Sequence, residues 1–396
     1  MYIPQGLKLG KTLIVSEGLP IVKNKDRFKH LFLLGSTGSG KTTFFLNLIK
    51  DEIDNAIIVL DPNGDLAEKV AGLTPPERLL YVDKDHPISL NPLGRPHLNR
   101  SEQANELIEV VNSAVMALTQ DQQMPITVLM AKIIRNAIRV FDDDQMTMTH
   151  LGQFLEYEAE RKKVPDAFWQ NFDKKDSKGW YVNKEQIESA KRVSARLSLF
   201  YEDENIAPFI RGENEFNIPE IVAKRQVVIF NLYGLDDEIT AFIGCLVSNS
   251  IKSYYLHQAT KDSEPLYFYC DEFHLFINRL FTRFLAEARK YNISMNFAGH
   301  SLKQVDNKLA SMILASCFVK VALNCGAEDA ELLAREIGIN PQEIQKLKPY
   351  EAYIGIGKKP HKVLTFPGSD VSPYKSKPVE KPRWNNFLGE EWIENE

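Results

Sequence analysis

Short apolar runs, each closed by a polar turn, recur along this chain and alternate with stretches where apolar residues return every three or four positions. His30 to Leu34, Asn55 to Asp61, Leu79 to Asp83, Gln226 to Leu232, Pro265 to Cys270, Ile293 to Gly299 and Phe318 to Leu323 have the length and β-branched or aromatic content of buried strands. Helical spacing follows several of them, as in Thr43 to Lys50 and Asp237 to His257. Strands separated by helices predict parallel βαβ units, and so an α/β fold with a doubly wound, mostly parallel sheet. From about 98 to 200 strand signals give way to helical periodicity, with amphipathic helices over Ala104 to Leu118 and Ile126 to Val140 and another opening at Met148. This predicts an all-α insertion domain at 98–200 within a core built from 1–97 and 201–366. Segments around Ala352 to Ile356 and Val363 to Phe366 read as a closing hairpin-like pair. The tail, 367–396, is rich in Pro, Lys and Glu and reads as extended, with Trp384, Phe387 and Trp392 placed to dock on a neighbour.

The first strand runs into Gly35-Ser36-Thr37-Gly38-Ser39-Gly40-Lys41-Thr42, followed by Thr43 and a helix. This is a complete P-loop in the strand-loop-helix context it requires. Its glycines let the backbone wrap around phosphates so that successive N–H groups and the helix N-terminus face the anion. Lys41 is placed to reach the β and γ phosphates and Thr42 to hold Mg²⁺, which makes the chain a nucleoside-triphosphate binder with ATP and Mg²⁺ as its expected ligands. A second apolar strand ends in Asp271-Glu272. Beside a P-loop, Asp271 is expected to order Mg²⁺ and Glu272 to polarise the attacking water.

Composition narrows the setting. The chain has 396 residues, and its longest uninterrupted apolar runs are only five or six residues, short of a membrane span or a signal peptide. A cytoplasmic protein is expected. The cysteines, Cys245, Cys270, Cys317 and Cys325, stand singly with no CxxC pair, which argues for buried thiols and against a metal site. Net charge is −5, so nucleic acid would have to meet a local basic region such as a channel lining. Lys191, Arg192 and Arg196, on the helical segment Glu185 to Phe200, read as a solvated face.

Taken together the motifs resemble the HerA and FtsK superfamily of P-loop motor ATPases, and within it the type IV coupling proteins of bacterial conjugation. The resemblance rests on the P-loop, Leu60-Asp61-Pro62-Asn63-Gly64-Asp65, Leu90-Asn91-Pro92-Leu93, Cys270-Asp271-Glu272-Phe273, and Ala288 to Ile293 leading to His300-Ser301-Leu302-Lys303-Gln304. It implies a RecA-like core, a hexameric ring that hydrolyses ATP between subunits, and DNA as the cargo. By the same resemblance Arg289 stands where the family places an arginine finger that reaches a neighbour's γ-phosphate. His300 occupies the sensor position, where the family usually has glutamine; Gln304, one turn on, is placed to share that role. Coupling proteins also carry N-terminal membrane helices, whereas this chain begins about thirty residues before its first strand, so recruitment to a membrane complex is expected to be peripheral. Genome packaging, DNA processing beside a nuclease, polypeptide secretion and a nucleotide-gated scaffold are the alternative roles.

Overall fold

The structure is a computed structural model that describes residues 7–8, 11–12, 21–22, 24–95, 98–119, 126–142, 147–260, 262–276, 285, 288–357 and 359–365. Twelve strands are present among these residues: β1 (Leu7–Lys8), β2 (Lys11–Thr12), β3 (Ile21–Val22), β4 (Leu31–Leu34), β5 (Ala56–Asp61), β6 (Leu79–Val82), β7 (Val227–Asn231), β8 (Leu266–Cys270), β9 (Ile293–Gly299), β10 (Val319–Ala322), β11 (Glu351–Ile356) and β12 (Lys359–Leu364). β1 and β3 pair with each other, and the other ten form one sheet in the order β2-β12-β11-β10-β4-β9-β8-β5-β7-β6. From β10 to β6 every neighbouring pair is parallel, whereas β11, β12 and β2 extend one edge antiparallel.

The central strands are apolar throughout because both faces are covered. Alternate residues divide between two packed layers: Leu31, Leu33, Ile57, Val59, Tyr267 and Tyr269 face one, and Phe32, Leu34, Ile58, Leu60, Phe268 and Cys270 the other. Three helices begin the chain order: α1 (Asn24–Arg27), α2 (Lys41–Glu52) and α3 (Asp65–Leu73). Phe44, Phe45, Leu48 and Ile49 of α2 and Leu66 and Val70 of α3 fill the first layer.

Between β6 and β7 lie α4 (Arg100–Thr119), α5 (Val128–Val140), α6 (Met148–Glu156), α7 (Glu158–Lys162), α8 (Ala167–Phe172), α9 (Lys184–Tyr201) and α10 (Ile218–Ala223), and α11 (Asp237–His257) follows β7. Side-chain caps start four of them: Thr127, Thr147, Asp166 and Asn217 accept from the backbone N–H of Met130, His150, Phe168 and Glu220. Apolar residues of α4, α5, α6, α8, α9, α10 and α11 join the second layer of the sheet in a single buried cluster that includes both Phe32 and Trp169. The solvated face expected on α9 holds for Lys191 and Arg192 but not for Arg196, which is buried and donates to the Arg192 carbonyl at 2.8 Å. Its position falls on the stripe with Val193, Leu197 and Phe200, so helix geometry turns it inward. All four cysteines are buried and none is in a disulfide. Residues 366–396, including Trp384, Phe387 and Trp392, lie outside the described residues.

A polar network is sealed beneath α2. Arg27 donates to both carboxylate oxygens of Glu52 at 2.7 and 3.1 Å and to Asn296 at 3.0 Å, and the Tyr269 hydroxyl also bonds Glu52. Burial is the largest influence on Arg27 and lowers its pKa, but the charge and hydrogen bond of Glu52 together with Tyr269 and Tyr267 outweigh it, and the net shift is upward. Asn296 in turn donates to the Phe268 carbonyl at 3.1 Å, and Ser294 donates to the Arg27 carbonyl at 2.9 Å.

Candidate nucleotide site

Strand order assembles the site. β9 lies between β4 and β8, so the parallel strands deliver Gly35, His300 and the Asp271-Glu272 pair side by side at one carboxyl edge of the sheet. Ligands of open α/β sheets bind at such edges. The loop after β4 is pinned by Gly35 N–H to the Gly299 carbonyl at 3.2 Å and Ser36 N–H to the Asn324 carbonyl at 2.8 Å. Gly35 is required by crowding, since a Cβ there would lie 2.4 Å from Ser39 Oγ and 2.7 Å from Leu323 Cβ. Gly38 and Gly40 have φ of 76° and 105°, a region that favours glycine. Gly40 caps α2 without a side-chain bond and the first turn holds no acid, so the first amides of the helix are left for an anion. Ser39 Oγ is buried with no partner.

Lys41 is buried and folded back on its own loop, donating to the carbonyls of Gly35 at 2.9 Å and Ser36 at 3.4 Å. Its Nζ also lies 2.8 Å from His300 Nδ1, and His300 Nε2 lies 2.6 Å from Glu272 Oε1. An ammonium only donates, so Nδ1 is the acceptor and the neutral ring carries its proton on Nε2, where it donates to Glu272. Burial and the neighbouring Lys41 charge both lower the His300 pKa, which keeps the ring neutral. Burial lowers the Lys41 pKa as well, opposed by Glu272 and Asp271.

Glu272 sits at φ 47°, ψ 53°, a left-handed conformation that is strained for a residue with a side chain. Its Oε2 is buried and unpartnered. Burial raises the Glu272 pKa. Asp271 is also buried; burial first, then the charges of Asp61 and Glu272, push its pKa up to about 7. Asp61 belongs to this cluster because β5 pairs with β8 in the register Leu60↔Cys270, which sets the next residues of the two strands side by side. Its carboxylate accepts from the backbone N–H of Asn63 at 2.9 Å and Ala67 at 2.8 Å, holding the turn into α3.

The expected residues therefore divide into three groups. Lys41, Asp271, Glu272 and His300 come together. Gln304 lies on a short 3₁₀ turn, Leu302–Gln304, and its amide nitrogen meets His274 Nε2 at 3.1 Å. Arg289 opens the 3₁₀ turn Arg289–Tyr291 ahead of β9, and its side chain lies outside the described residues. Sequence reasoning missed His274 and the place of Asp61 beside Asp271. A second acid-terminated strand was a usable signal for Asp61; a lone histidine two residues after Glu272 gave none.

A match over residues 7–251 to the family described as Helicase HerA, central domain, decides the affiliation. The chain belongs to the HerA central-domain family. No curated protein matches it. Among solved structures, the bacterial conjugative coupling protein TrwB, in an unbound form lacking its first 70 residues, aligns with TM-score 0.63 at 13% identity over 87% of this chain and 86% of its own. VirB4 of Thermoanaerobacter pseudethanolicus aligns with TM-score 0.63 at 14% identity over 94% and 99%. TrwB in complex with ADP and Mg²⁺ aligns with TM-score 0.63 at 14% identity over 94% and 98%. Identities this low establish a shared RecA-like P-loop fold. Among the described residues of this HerA-family chain, no helix is long and apolar enough to cross a membrane.

Proposed function

We propose that this chain is an ATP-hydrolysing motor that moves DNA, working as a ring of subunits in conjugative or mobile-element transfer. The observation that carries the reading is the meeting of Lys41, Asp271, Glu272 and His300 at one sheet edge, beside an α2 N-terminus left open for an anion. TrwB, described as a plasmid coupling protein and solved with ADP and Mg²⁺, supports nucleotide, metal and biological setting together.

The residues fit the ligands. The open amides of α2 and the orphaned Ser39 hydroxyl suit phosphate oxygens, and Lys41 has only to leave the carbonyls of Gly35 and Ser36 to reach a terminal phosphate. Among the described residues no group of three or more His, Cys, Asp or Glu is arranged to hold a metal. Thr42 and Asp271 would be the protein donors to a divalent ion bound with the phosphates. When bound, Mg²⁺ neutralises phosphate charge; it also relieves the crowding of Asp61, Asp271 and Glu272 that raises Asp271. Glu272 orients a water for attack on the γ-phosphorus, the bond to ADP breaks, and inorganic phosphate leaves. Arg289 is assigned to a neighbouring subunit's phosphates, where a guanidinium makes hydrolysis depend on assembly.

The test is ATP turnover with and without double- and single-stranded DNA. Stimulation by DNA is expected. Turnover indifferent to every DNA would transfer the motor to a polypeptide cargo, the second reading, which the net charge of −5 favours. Mixing Arg289→Ala with Lys41→Ala subunits is expected to restore part of the turnover that each lacks alone, and no rescue removes the trans role.

A further inference from the structure

Glu272 is supported on one oxygen by a group that the nucleotide disturbs. His300 Nε2–H holds Oε1 at 2.6 Å, but His300 is itself held through Nδ1 by Lys41, the side chain that a terminal phosphate recruits. The other oxygen, Oε2, faces His274 Nδ1 at 3.5 Å, outside hydrogen-bond geometry, and both atoms are buried without a partner. Two polar atoms of matching type therefore stand just beyond bonding distance. The far side of the His274 ring is fixed by Gln304, whose amide nitrogen is 3.1 Å from Nε2. With that amide donating, Nε2 is the acceptor and the proton of the neutral ring sits on Nδ1, the nitrogen nearer Glu272 Oε2. Nothing in the Gln304 to His274 contact depends on Lys41.

We propose that His274, oriented by Gln304, is the positioning residue that holds the Glu272 carboxylate once nucleotide has drawn Lys41 away from His300. Glu272 thus has two alternative supports: His300 in the empty site, and His274 in the loaded one. The Glu272 carboxylate, carried on a backbone strained at φ 47°, lies between the two rings, one oxygen toward each. Such a two-position element is what couples arrival of a ligand to alignment of a reacting group.

The inference rests on the ATP hydrolysis proposed above, so the two are tested in one series on the assembled full-length protein. His274→Ala is expected to lower kcat about tenfold while KM for ATP and the affinity for a fluorescent ATP analogue stay within about twofold, the loss falling on alignment of the water. His274→Asn, whose side-chain N–H replaces Nδ1–H, is expected to recover most of kcat; Gln304→Ala is expected to fall between wild type and His274→Ala. Wild-type kcat in His274→Ala beside active wild type overturns the positioning role alone. That role also falls if Asn fails to rescue while melting temperatures match wild type, or if kcat and nucleotide affinity drop together. No turnover by the wild type under any condition overturns the hydrolase reading and this inference with it.

Discussion

The two ends of α2 hold polar side chains in opposite conditions. At the C-terminal end Glu52 is buried but saturated: Arg27 donates to both its oxygens, Tyr269 adds a third bond, and Arg27 passes on to Asn296. At the N-terminal end Ser39 Oγ and Glu272 Oε2 are buried and lack partners, Glu272 is in a strained conformation, and Asp271 is crowded by like charge. Polar groups that satisfy one another serve architecture, and those left wanting serve a ligand. One helix thus carries a finished end and an unfinished one.

On a common scale, where tenfold in rate corresponds to about 1.4 kcal/mol, substitutions at the two ends can be set against each other. Glu52→Ala leaves the Arg27 charge buried without its counter-charge, and is expected to cost about 3–5 kcal/mol in urea unfolding while folded molecules keep their turnover. A stable Glu52→Ala protein that has lost ATPase activity would place function at both ends and erase the contrast. Lys41→Ala is expected to lower phosphate release about 10³-fold with only a small loss of melting temperature, since within the fold Lys41 holds only the loop carbonyls of Gly35 and Ser36 and the His300 ring. Glu272→Gln is expected to lower kcat about 10²-fold and to retain ATP, accumulating the loaded assembly. Binding that is lost along with kcat would show that Glu272 holds the site together instead of orienting water.

A further contrast between the two ends concerns pH. Asp271 titrates at about 7 in the folded chain against an ordinary 3.8, so between those values the folded state binds a proton that the unfolded state has released. Stability of the nucleotide-free protein is therefore expected to fall as pH rises through that window, and Asp271→Asn is expected to flatten this part of the melting-temperature profile. A profile rising with pH in wild type and unchanged in the variant would mean that the carboxylates at this end are already compensated.

Contiguous features were readable in the sequence. The P-loop, the Asp271-Glu272 strand end and the α/β alternation each occupy one short segment, and their chemistry follows from residue type and spacing. Features made by register were not. Asp61 reaches Asp271 only because β5 and β8 align Leu60 with Cys270, and His300 reaches Lys41 only because β9 lies between β4 and β8. Gln304 was expected to share the sensor role of His300 from the next helical turn; a 3₁₀ turn instead sets its amide against His274. The Arg27 and Glu52 pair, separated by 25 positions, carried no motif at all. Arg196 was misread because a run of cations looks solvated until helical phase is counted against Val193 and Leu197.

The buried cluster that runs without a break from Phe32 on β4 to Trp169 on α8 has a mechanical consequence. Close-packed side chains are stiff and pass strain on instead of absorbing it. In the motor proposed above, a load on the helical layer would be felt at the strand that feeds the P-loop, and a phosphate that shifted that strand would tug on the helices in return. Resistance met at the outer helices would then reach the chemistry proposed for Lys41 through this packing.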